Sequence, residues 1–226
     1  MYASNTVKTV DFINPWEILL TLEQTVPKFI ETNDVIENVT WTPEVEIRNN
    51  YFARVPTRGI LVSTRRRITI ENNVFERMCM SAILIANDAE SWYESGMVKD
   101  VMIRGNRFIE CGDNHNPVIY IAPENSDVSV DFPVHSNILI ENNVIQMKDA
   151  SILSAKSTQN LRFNNNEISA VSTNNKFETI IHLTACSEVT IGGNRFIGEG
   201  INKNLLVQSM PMENVTVSPE QGLQFQ

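Results

Sequence analysis

A short phrase recurs six times along the chain, and this repetition constrains the fold more than any other feature of the sequence. Each copy has two apolar residues flanking one variable residue, then two further positions, an asparagine, a spacer and another apolar residue. The copies are VEIRNNYF (45–52), ITIENNVF (68–75), VMIRGNRF (101–108), ILIENNVI (138–145), LRFNNNEI (161–168) and VTIGGNRF (189–196). Self-similarity with a unit of roughly 20 to 40 residues is typical of a solenoid, in which similar coils stack on one another.

The period within each copy indicates the kind of solenoid. Apolar residues alternate with polar ones before each asparagine, which is the period of a strand and not that of a helix. The repeat has no leucine framework, so a leucine-rich repeat is disfavoured. The sequence therefore predicts an all-β fold, a right-handed parallel β-helix in which strands of successive coils lie about 4.8 Å apart.

The repeated asparagines are predicted to be structural. They are Asn50, Asn73, Asn106, Asn143, Asn166 and Asn194. An asparagine at the same turn of every coil can adopt a left-handed conformation and hydrogen-bond its neighbours in the stack. Their separations of 23, 33, 37, 23 and 28 residues indicate long loops at some turns, and solenoid loops often gather on the binding face.

The beginning of the chain differs from the rest. Residues 1–40 lack the repeat and alternate loosely, which predicts a short N-terminal β segment of antiparallel strands. Residues 41–226 are predicted to form the parallel β-helix. Since the open edges of a β-helix need protection, the N-terminal segment is one candidate for covering the first coil.

Composition and charge weigh against several functional classes. The formal net charge of −9 disfavours nucleic acid as a partner, because such binding depends on neutralising phosphates. No apolar run approaches the roughly 20 residues of a membrane helix, and the first residues lack the pattern of a signal peptide. The three cysteines, Cys79, Cys111 and Cys186, form no CxxC pair, so we expect small buried residues rather than a zinc site or a disulfide framework.

Aligning the second strand of each coil predicts a column of charged side chains. The positions taken as equivalent are Val62, Ile85, Ile121, Leu153 and Leu183. The residues three positions further on are Arg65, Asp88, Glu124, Lys156 and Cys186. Equivalent positions of successive coils lie above one another, so Asp88 is predicted beside Glu124. Arg65 and Lys156 are predicted to flank these two acids.

Two neighbouring carboxylates beside aromatic residues suit glycoside hydrolysis. One carboxyl group donates a proton to the leaving oxygen while the other activates water or attacks the sugar, and Asp88 and Glu124 are the candidates for this pair. Trp92 and Tyr93 follow Asp88 in the segment NDAESWYESG, and an aromatic ring can stack on the apolar face of a sugar. The simpler alternative is a solvated ladder of ion pairs, which contributes little to stability.

Several long motifs resemble glycoside hydrolase family 110, a family of bacterial α-1,3-galactosidases that remove terminal galactose. The motifs are NDVIENVTWTPEVEIRNNYF (33–52), RGILVSTRRRITIENNVF (58–75), SAILIANDAESWYESG (81–96), VKDVMIRGNRF (98–108) and VIYIAPEN (118–125). The resemblance implies a right-handed β-helix with attached β-barrel domains, an inverting mechanism, no metal or other cofactor, and a galactose-terminated oligosaccharide or glycoconjugate as substrate. It also implies an exported protein, periplasmic or extracellular. Family members are much longer, so the chain is expected to be the C-terminal β-helix portion of such an enzyme, with residues 1–40 as the remnant of an inserted barrel.

The resemblance assigns roles to individual residues. Asp88 and Glu124 match acidic positions of the family's active site, and Trp92 and Glu94 lie in the same segment as Asp88, where they are expected to contact the sugar. Asn87 stands where the family often has a second acid. An amide cannot act as a base, but it can bind a hydroxyl group. The full set of expected substrate-binding residues is Arg65, Asn87, Trp92, Glu94, His115 and Lys156.

Two other functions are compatible with the same residues. A carbohydrate-binding or structural β-helix without turnover would use the same aromatic side chains and loops. A polysaccharide lyase would use calcium, which prefers six to eight oxygen ligands, at Asp88, Glu90 and Glu94, with Arg65 or Lys156 as the base.

The three histidines show no metal-ligand spacing. His115 lies in the loop before the Glu124 strand and is expected to contact substrate. His135 is expected to face solvent near a turn, and His182 is expected to be a structural residue within a strand.

Overall fold

The computed structural model describes residues 3–32, 34–88, 91, 92, 94, 96–148, 150–171, 180–198, 201 and 203–226. The chain divides into two compact units, Met1–Ile36 and Glu37–Gln226. Each unit is described by itself.

The first unit contains an antiparallel pair of strands, β1 (Val7–Asn14) and β2 (Glu17–Leu22). The register runs from Val7 opposite Leu22 to Asn14 opposite Glu17. At the turn, the side-chain oxygen of Asn14 accepts a hydrogen bond from the backbone N–H of Trp16 at 2.9 Å. The antiparallel strands expected from the loose alternation of this segment are therefore present.

The second unit is a parallel β-helix whose coils contribute strands to three sheets. The first sheet contains β3 (Val45–Arg48), β6 (Ile68–Glu71), β9 (Lys99–Arg104), β12 (His135–Glu141), β15 (Thr158–Asn164), β18 (Val189–Gly192) and β21 (Val215–Val217). The second sheet contains β4 (Tyr51–Ala53), β7 (Val74–Glu76), β10 (Arg107–Ile109), β13 (Val144–Met147), β16 (Glu167–Ala170) and β19 (Arg195–Ile197). The third sheet contains β5 (Ile60–Val62), β8 (Ile83–Ile85), β11 (Ile119–Ile121), β14 (Leu153–Lys156), β17 (Ile181–Thr184), β20 (Asn204–Gln208) and β22 (Gln224–Phe225).

The core lies inside the coils, where inward-facing residues of successive strands stack. One such stack runs through the third sheet as Ile60, Ile83, Ile119, Leu153, Ile181 and Leu205, and all six side chains are buried. In the second sheet the rings of Phe52, Phe75 and Phe108 stack with centroids 4.9 and 5.1 Å apart. Alternation of inward apolar and outward polar residues fixes this register, because a shift by one residue would expose the apolar set.

The repeated asparagines form a hydrogen-bonded ladder, as predicted. In each pair of neighbouring coils, the backbone N–H and the Nδ2 of the earlier asparagine both donate to Oδ1 of the later asparagine. Asn73 donates both bonds to Asn106 at 2.9 and 3.0 Å, and Asn106 donates both to Asn143 at 2.9 and 3.1 Å. At the end of the ladder, Gln221 Oε1 replaces the asparagine and accepts the N–H of Asn194 at 3.0 Å.

The left-handed conformation was predicted at the wrong residue of this turn. The ladder asparagines are not left-handed, because the residue before each of them makes the sharp turn. These preceding residues are Asn49, Asn72, Gly105, Asn142, Asn165 and Gly193, with φ between 54° and 64°. Asparagine and glycine tolerate this conformation best, which explains why the repeat contains NN or GN pairs.

Two short 3-10 turns, Met212–Asn214 and Pro219–Gln221, lie near the end of the chain. No helix in the described part of the chain has the length and apolar character needed to cross a bilayer.

Candidate active site

Asp88 and Glu124 are neighbours in the third sheet, beyond the ends of β8 and β11. The N–H of Ala122 donates to the carbonyl of Ile85 at 2.8 Å, and the N–H of Glu124 donates to the carbonyl of Asn87 at 3.3 Å. This is the bonding pattern of a parallel ladder continued past the strands. Asp88 is therefore the register partner of Glu124 on the next coil, as the alignment predicts.

Lys156 does not occupy the predicted position in this column. Leu153 pairs with Ile119, and Ala155 is the residue that pairs with Ile121, so the predicted alignment of this strand was wrong by two residues. A shift of two keeps the inward and outward faces unchanged, and the small buried Ala155 gave no sign of its position. Lys156 is therefore level with Ala122 of the neighbouring coil, two positions before Glu124.

The side chain of Lys156 nevertheless reaches the neighbourhood of Glu124. Its Nζ atom lies 3.4 Å from the carbonyl oxygen of Asn125. Partial burial lowers the pKa of Lys156, and the carboxylate of Glu124 opposes this effect. The lysine therefore approaches the acid from one side, although the register differs from the prediction.

Glu124 and Lys156 line a cavity of about 650 Å³ on the outward face of the third sheet. Its floor consists of two rows of outward side chains. The first row is Leu84, Tyr120, Ser154 and His182, and the second is Ala86, Ala122, Lys156 and Thr184. Arg58, Met80, Ser81, Asn116 and the segment 123–126 complete the lining among the described residues.

Asp88 is not among the residues that line this cavity, although its register partner Glu124 is. Its side chain is 6% exposed, and its Oδ1 atom accepts the N–H of Ser91 at 2.7 Å. Its backbone carbonyl accepts the N–H of Glu94 at 2.7 Å. Asp88 thus anchors the start of the loop that follows β8, and Glu94 lies half-buried in that loop.

Arg65 is engaged elsewhere. Its Nε donates to Glu37 Oε2 at 2.8 Å, and its guanidinium donates a second bond to the same oxygen. The N–H of Ala86 donates to the carbonyl of Val62 at 3.1 Å. The parallel pairing of β5 with β8 therefore continues to within two residues of Arg65. Arg65 thus forms an ion pair with Glu37 and does not line the cavity.

Trp92 and His115 also lie outside the cavity lining. Trp92 is 78% exposed, and His115 is exposed in a loop where its backbone N–H donates to Asp113 Oδ1 at 2.8 Å. The predictions that involve Glu90 and Tyr93 concern residues outside the described part of the chain. Among the described residues, no cluster of histidine, cysteine and acidic side chains could hold a metal ion.

His135 is buried, so the prediction that it faces solvent was wrong. It opens β12 in register with the buried Thr158, and its Nδ1 accepts the N–H of Val98 at 3.0 Å. Burial, together with the charge of Lys156, lowers the pKa of His135 to about 3. Its ring therefore stays neutral near pH 7.

His182 lies within β17, the strand position expected for it, and its ring nitrogen has polar partners. It lines the cavity, and its Nε2 lies 3.0 Å from Gln208 Oε1 and 3.2 Å from Thr184 Oγ1. The sequence reasoning also missed Arg58, Ser81 and Tyr120. The alternation in the aligned strands could have shown which of these side chains point outward.

Three buried polar atoms near the cavity have no hydrogen-bond partner within the described ranges: Ser81 Oγ, Asn87 Oδ1 and Asn125 Oδ1. Ser81 and Asn125 line the cavity itself. Unpaired buried polar atoms cost about 1–3 kcal/mol each, so they suit a site that is completed by a ligand with many hydroxyl groups.

The two buried cysteines, Cys111 and Cys186, and the exposed Cys79 are free thiols. The prediction of small buried residues is thus correct for Cys111 and Cys186 and wrong for Cys79, which lies on a turn before β8.

Comparison with family models identifies the class of the chain. The model described as right handed beta helix region matches residues 35–217, so the chain belongs to the right-handed β-helix family, and the predicted fold class is confirmed. The model described as GLAA-B beta-barrel domain II matches residues 1–36.

Curated relatives of similar sequence define a smaller group within this family of β-helix proteins. The chain is 43% identical over 223 residues to alpha-1,3-galactosidase A of Bacteroides fragilis strain YCH46, covering 95% of this chain and 36% of the relative. It is 46% identical over 194 residues to alpha-1,3-galactosidase A of Bacteroides thetaiotaomicron, covering 84% and 33%. To alpha-1,3-galactosidase B of the same organism it is 38% identical over 224 residues, covering 96% and 36%. The resemblance to bacterial α-1,3-galactosidases is confirmed, and the chain spans about a third of the length of these relatives.

Proposed function

We propose that this chain carries the catalytic face of a glycosidase that releases terminal α-1,3-linked galactose from glycans with inversion. The main support is the register pairing of Asp88 with Glu124, which lines a cavity of about 650 Å³. The relatives named alpha-1,3-galactosidase support the choice of substrate.

In this mechanism the two carboxyl groups divide the proton transfers. One donates a proton to the leaving oxygen, and the other removes a proton from the attacking water on the opposite face of the sugar. Inverting enzymes hold the two groups about 6.5–9.5 Å apart. Adjacent coils place the backbones of Asp88 and Glu124 about 4.8 Å apart. Asp88 accepts a hydrogen bond from the N–H of Ser91, whereas Glu124 is exposed, so the proposed mechanism requires the side chain of Glu124 to supply the remaining separation.

Neighbouring groups have supporting roles in this proposal. Lys156 lies near Glu124, whose carboxylate opposes the lowering of the pKa of Lys156 by burial. Asn87 Oδ1, which is buried and unpaired within the described ranges, accepts a bond from a sugar hydroxyl. The indole of Trp92, four positions after Asp88 in the chain, is exposed and is available to stack on a sugar ring.

The test is hydrolysis of an α-1,3-linked galactose disaccharide followed by proton NMR of the first product formed. Inversion predicts that β-galactose appears first. Because general acid–base groups contribute about 100-fold to 10,000-fold in rate, Asp88→Asn and Glu124→Gln should each lower kcat by at least about 100-fold. Asp131→Asn, at an exposed position outside the cavity, is the matched control and should retain activity.

The opposite outcomes are also informative. If α-galactose appears first, inversion is refuted. If no galactose is released but the disaccharide shifts protein resonances, the chain is a carbohydrate-binding β-helix. We also propose that the protein is exported, as the resemblance to the family implies, and fractionation of the producing cells would test this.

A further inference from the structure

We propose that Arg58 and Ser81 form a second subsite of the cavity, which binds an anionic group on the part of the glycan beyond the terminal galactose. The anionic group is a sulfate or a carboxylate carried by the neighbouring sugar. This inference rests on the proposed function, because it takes the terminal sugar to lie between Asp88 and Glu124.

Arg58 and Ser81 lie side by side on adjacent coils, before the start of β5 and β8. The N–H of Gly59 donates to the carbonyl of Ser81 at 3.1 Å, and Ile60 pairs with Ile83. This register makes Arg58 the partner of Ser81, with backbones about 4.8 Å apart. Both residues line the cavity.

This pair lies at the edge of the cavity opposite the carboxylates. Ser81 precedes β8 and Asp88 follows it, seven residues later. Parallel pairing with the next coil continues from Ala82 to Asn87, so this stretch is extended and, at roughly 3.3 Å per residue, separates the two ends by about 20 Å. A group that contacts Arg58 is therefore on a different part of the glycan from the ring held between the acids.

The polar groups of this edge are donors without acceptors. Arg58 has no ion pair or hydrogen bond in the described structure, and Ser81, only 2% exposed, has an unpaired Oγ in the same described part. An anion would accept bonds from the guanidinium and the hydroxyl together, which is the geometry that arginine provides best. Asp113, in the loop before β11, is not among the lining residues, and its Oδ1 already accepts bonds from His115 and Asn116.

The charge of the cavity favours the same ligand. Among its described lining residues, Arg58 and Lys156 are cationic and Glu124 is anionic. Lys156 interacts electrostatically with Glu124, whereas no ion pair of Arg58 occurs in the described structure. Because the chain as a whole has a net charge of −9, any attraction of an anion to this cavity must come from the local charge of Arg58 and not from the overall charge.

The experiment measures binding without turnover. The ligands are two thio-linked α-1,3-digalactosides that resist hydrolysis, one neutral and one with a sulfate on the reducing sugar, titrated calorimetrically into the full chain. A third ligand with a carboxylate at the same carbon distinguishes the two kinds of anion. We expect the wild-type chain to bind at least one anionic ligand about 10-fold more tightly than the neutral one at low salt, with a smaller ratio at high salt.

Variants test whether Arg58 and Ser81 cause the preference for anionic ligands. Arg58→Gln should reduce the preference to less than about 2-fold, Ser81→Ala should reduce it in part, and Arg58→Lys should retain some of it. Arg66→Gln removes the same charge from an exposed position outside the cavity and should leave the preference intact. Thermal unfolding of each variant checks that the fold is retained.

Equal affinity of the wild-type chain for all three ligands, binding of none of them, or a preference that survives Arg58→Gln would each overturn the subsite. These outcomes are separate from those of the hydrolysis test. Hydrolysis without an anionic preference refutes the subsite alone, and an Arg58-dependent preference without hydrolysis refutes the proposed catalysis alone.

Discussion

Replacing Asn106 by alanine should destabilise the β-helix strongly, because this side chain lies in the middle of the asparagine ladder. Asn106 is completely buried. Its Oδ1 accepts the N–H and Nδ2 of Asn73, and its Nδ2 donates to Ile70 O at 2.9 Å and to Asn143 Oδ1 at 3.1 Å. The substitution removes these four bonds and leaves the buried N–H of Asn73 without its acceptor.

The magnitude follows from these bonds. At a net contribution of about 0.5–1.5 kcal/mol each, four bonds give a loss of about 2–6 kcal/mol. Asn50→Ala is the matched control, because Asn50 is the exposed first member of the same ladder. Its Nδ2 donates only to Arg48 O at 2.8 Å and to Asn73 Oδ1 at 3.0 Å, and water can replace both partners. We expect Asn50→Ala to cost less than about 1.5 kcal/mol.

Urea unfolding gives the loss in free energy of unfolding, and amide hydrogen exchange shows where it occurs. Stacked coils contact mainly their neighbours, so Asn106→Ala should lower protection most in the coils that contain Asn73, Asn106 and Asn143. If Asn106→Ala costs no more than Asn50→Ala, the ladder does not stabilise the stack and the reasoning is wrong.

Three further predictions concern single positions. Gly105→Ala should cost about 1–2 kcal/mol, because Gly105 has φ +63°, and Gly105→Asn, which restores the repeat's own residue, should cost less in the same urea assay. In the folded chain Cys79 should react with a thiol reagent, whereas Cys186, whose pKa burial raises to about 11, should react only after unfolding; early labelling of Cys186 would contradict its burial. The pKa of His135 is lowered from 6.5 to about 3, so below pH 6.5 the unfolded chain takes up a proton that the folded chain does not. As the pH is lowered from 6.5 to 3, the stability from this group should therefore fall by about 1.4 kcal/mol per pH unit. His135→Gln should flatten this slope between pH 6.5 and 4.5, and an unchanged slope would contradict the assignment.

The repeat alone was sufficient to predict the fold and the ladder. An asparagine that hydrogen-bonds its equivalent in the next coil must recur at the same turn. The spacing between these asparagines therefore gives the number of residues in each coil. The sequence did not show which residue of the pair takes the left-handed conformation. In copies such as Asn72–Asn73 both residues are asparagine, and only the copies with glycine, such as Gly105–Asn106, distinguish the two positions.

Register within a strand was harder to predict than the existence of the strand. Asp88 and Glu124 were placed correctly because AILIAND and VIYIAPE have large apolar residues at the same two inward positions. In SILSAKS the inward position is filled by Ala155, and the alternation allows a shift of two residues without exposing any apolar side chain. His135 was misjudged for a related reason, since its inward position follows from pairing with Thr158 and not from its own neighbours.

The candidate site depends on features that a column of aligned residues cannot show. The outward positions Ala86 and Ala122 are small, and their size leaves room beside Glu124 for the cavity. The loops then decide which charged residues face that room: Glu37 draws Arg65 into an ion pair, whereas Arg58 remains at the cavity edge. Both arginines belong to the same coil and both flank β5, so their different environments come from contacts distant in the sequence. For this reason the sequence could predict the acids at the end of β8 and β11, but the cation that faces the cavity at the start of β5 became visible only in the folded chain.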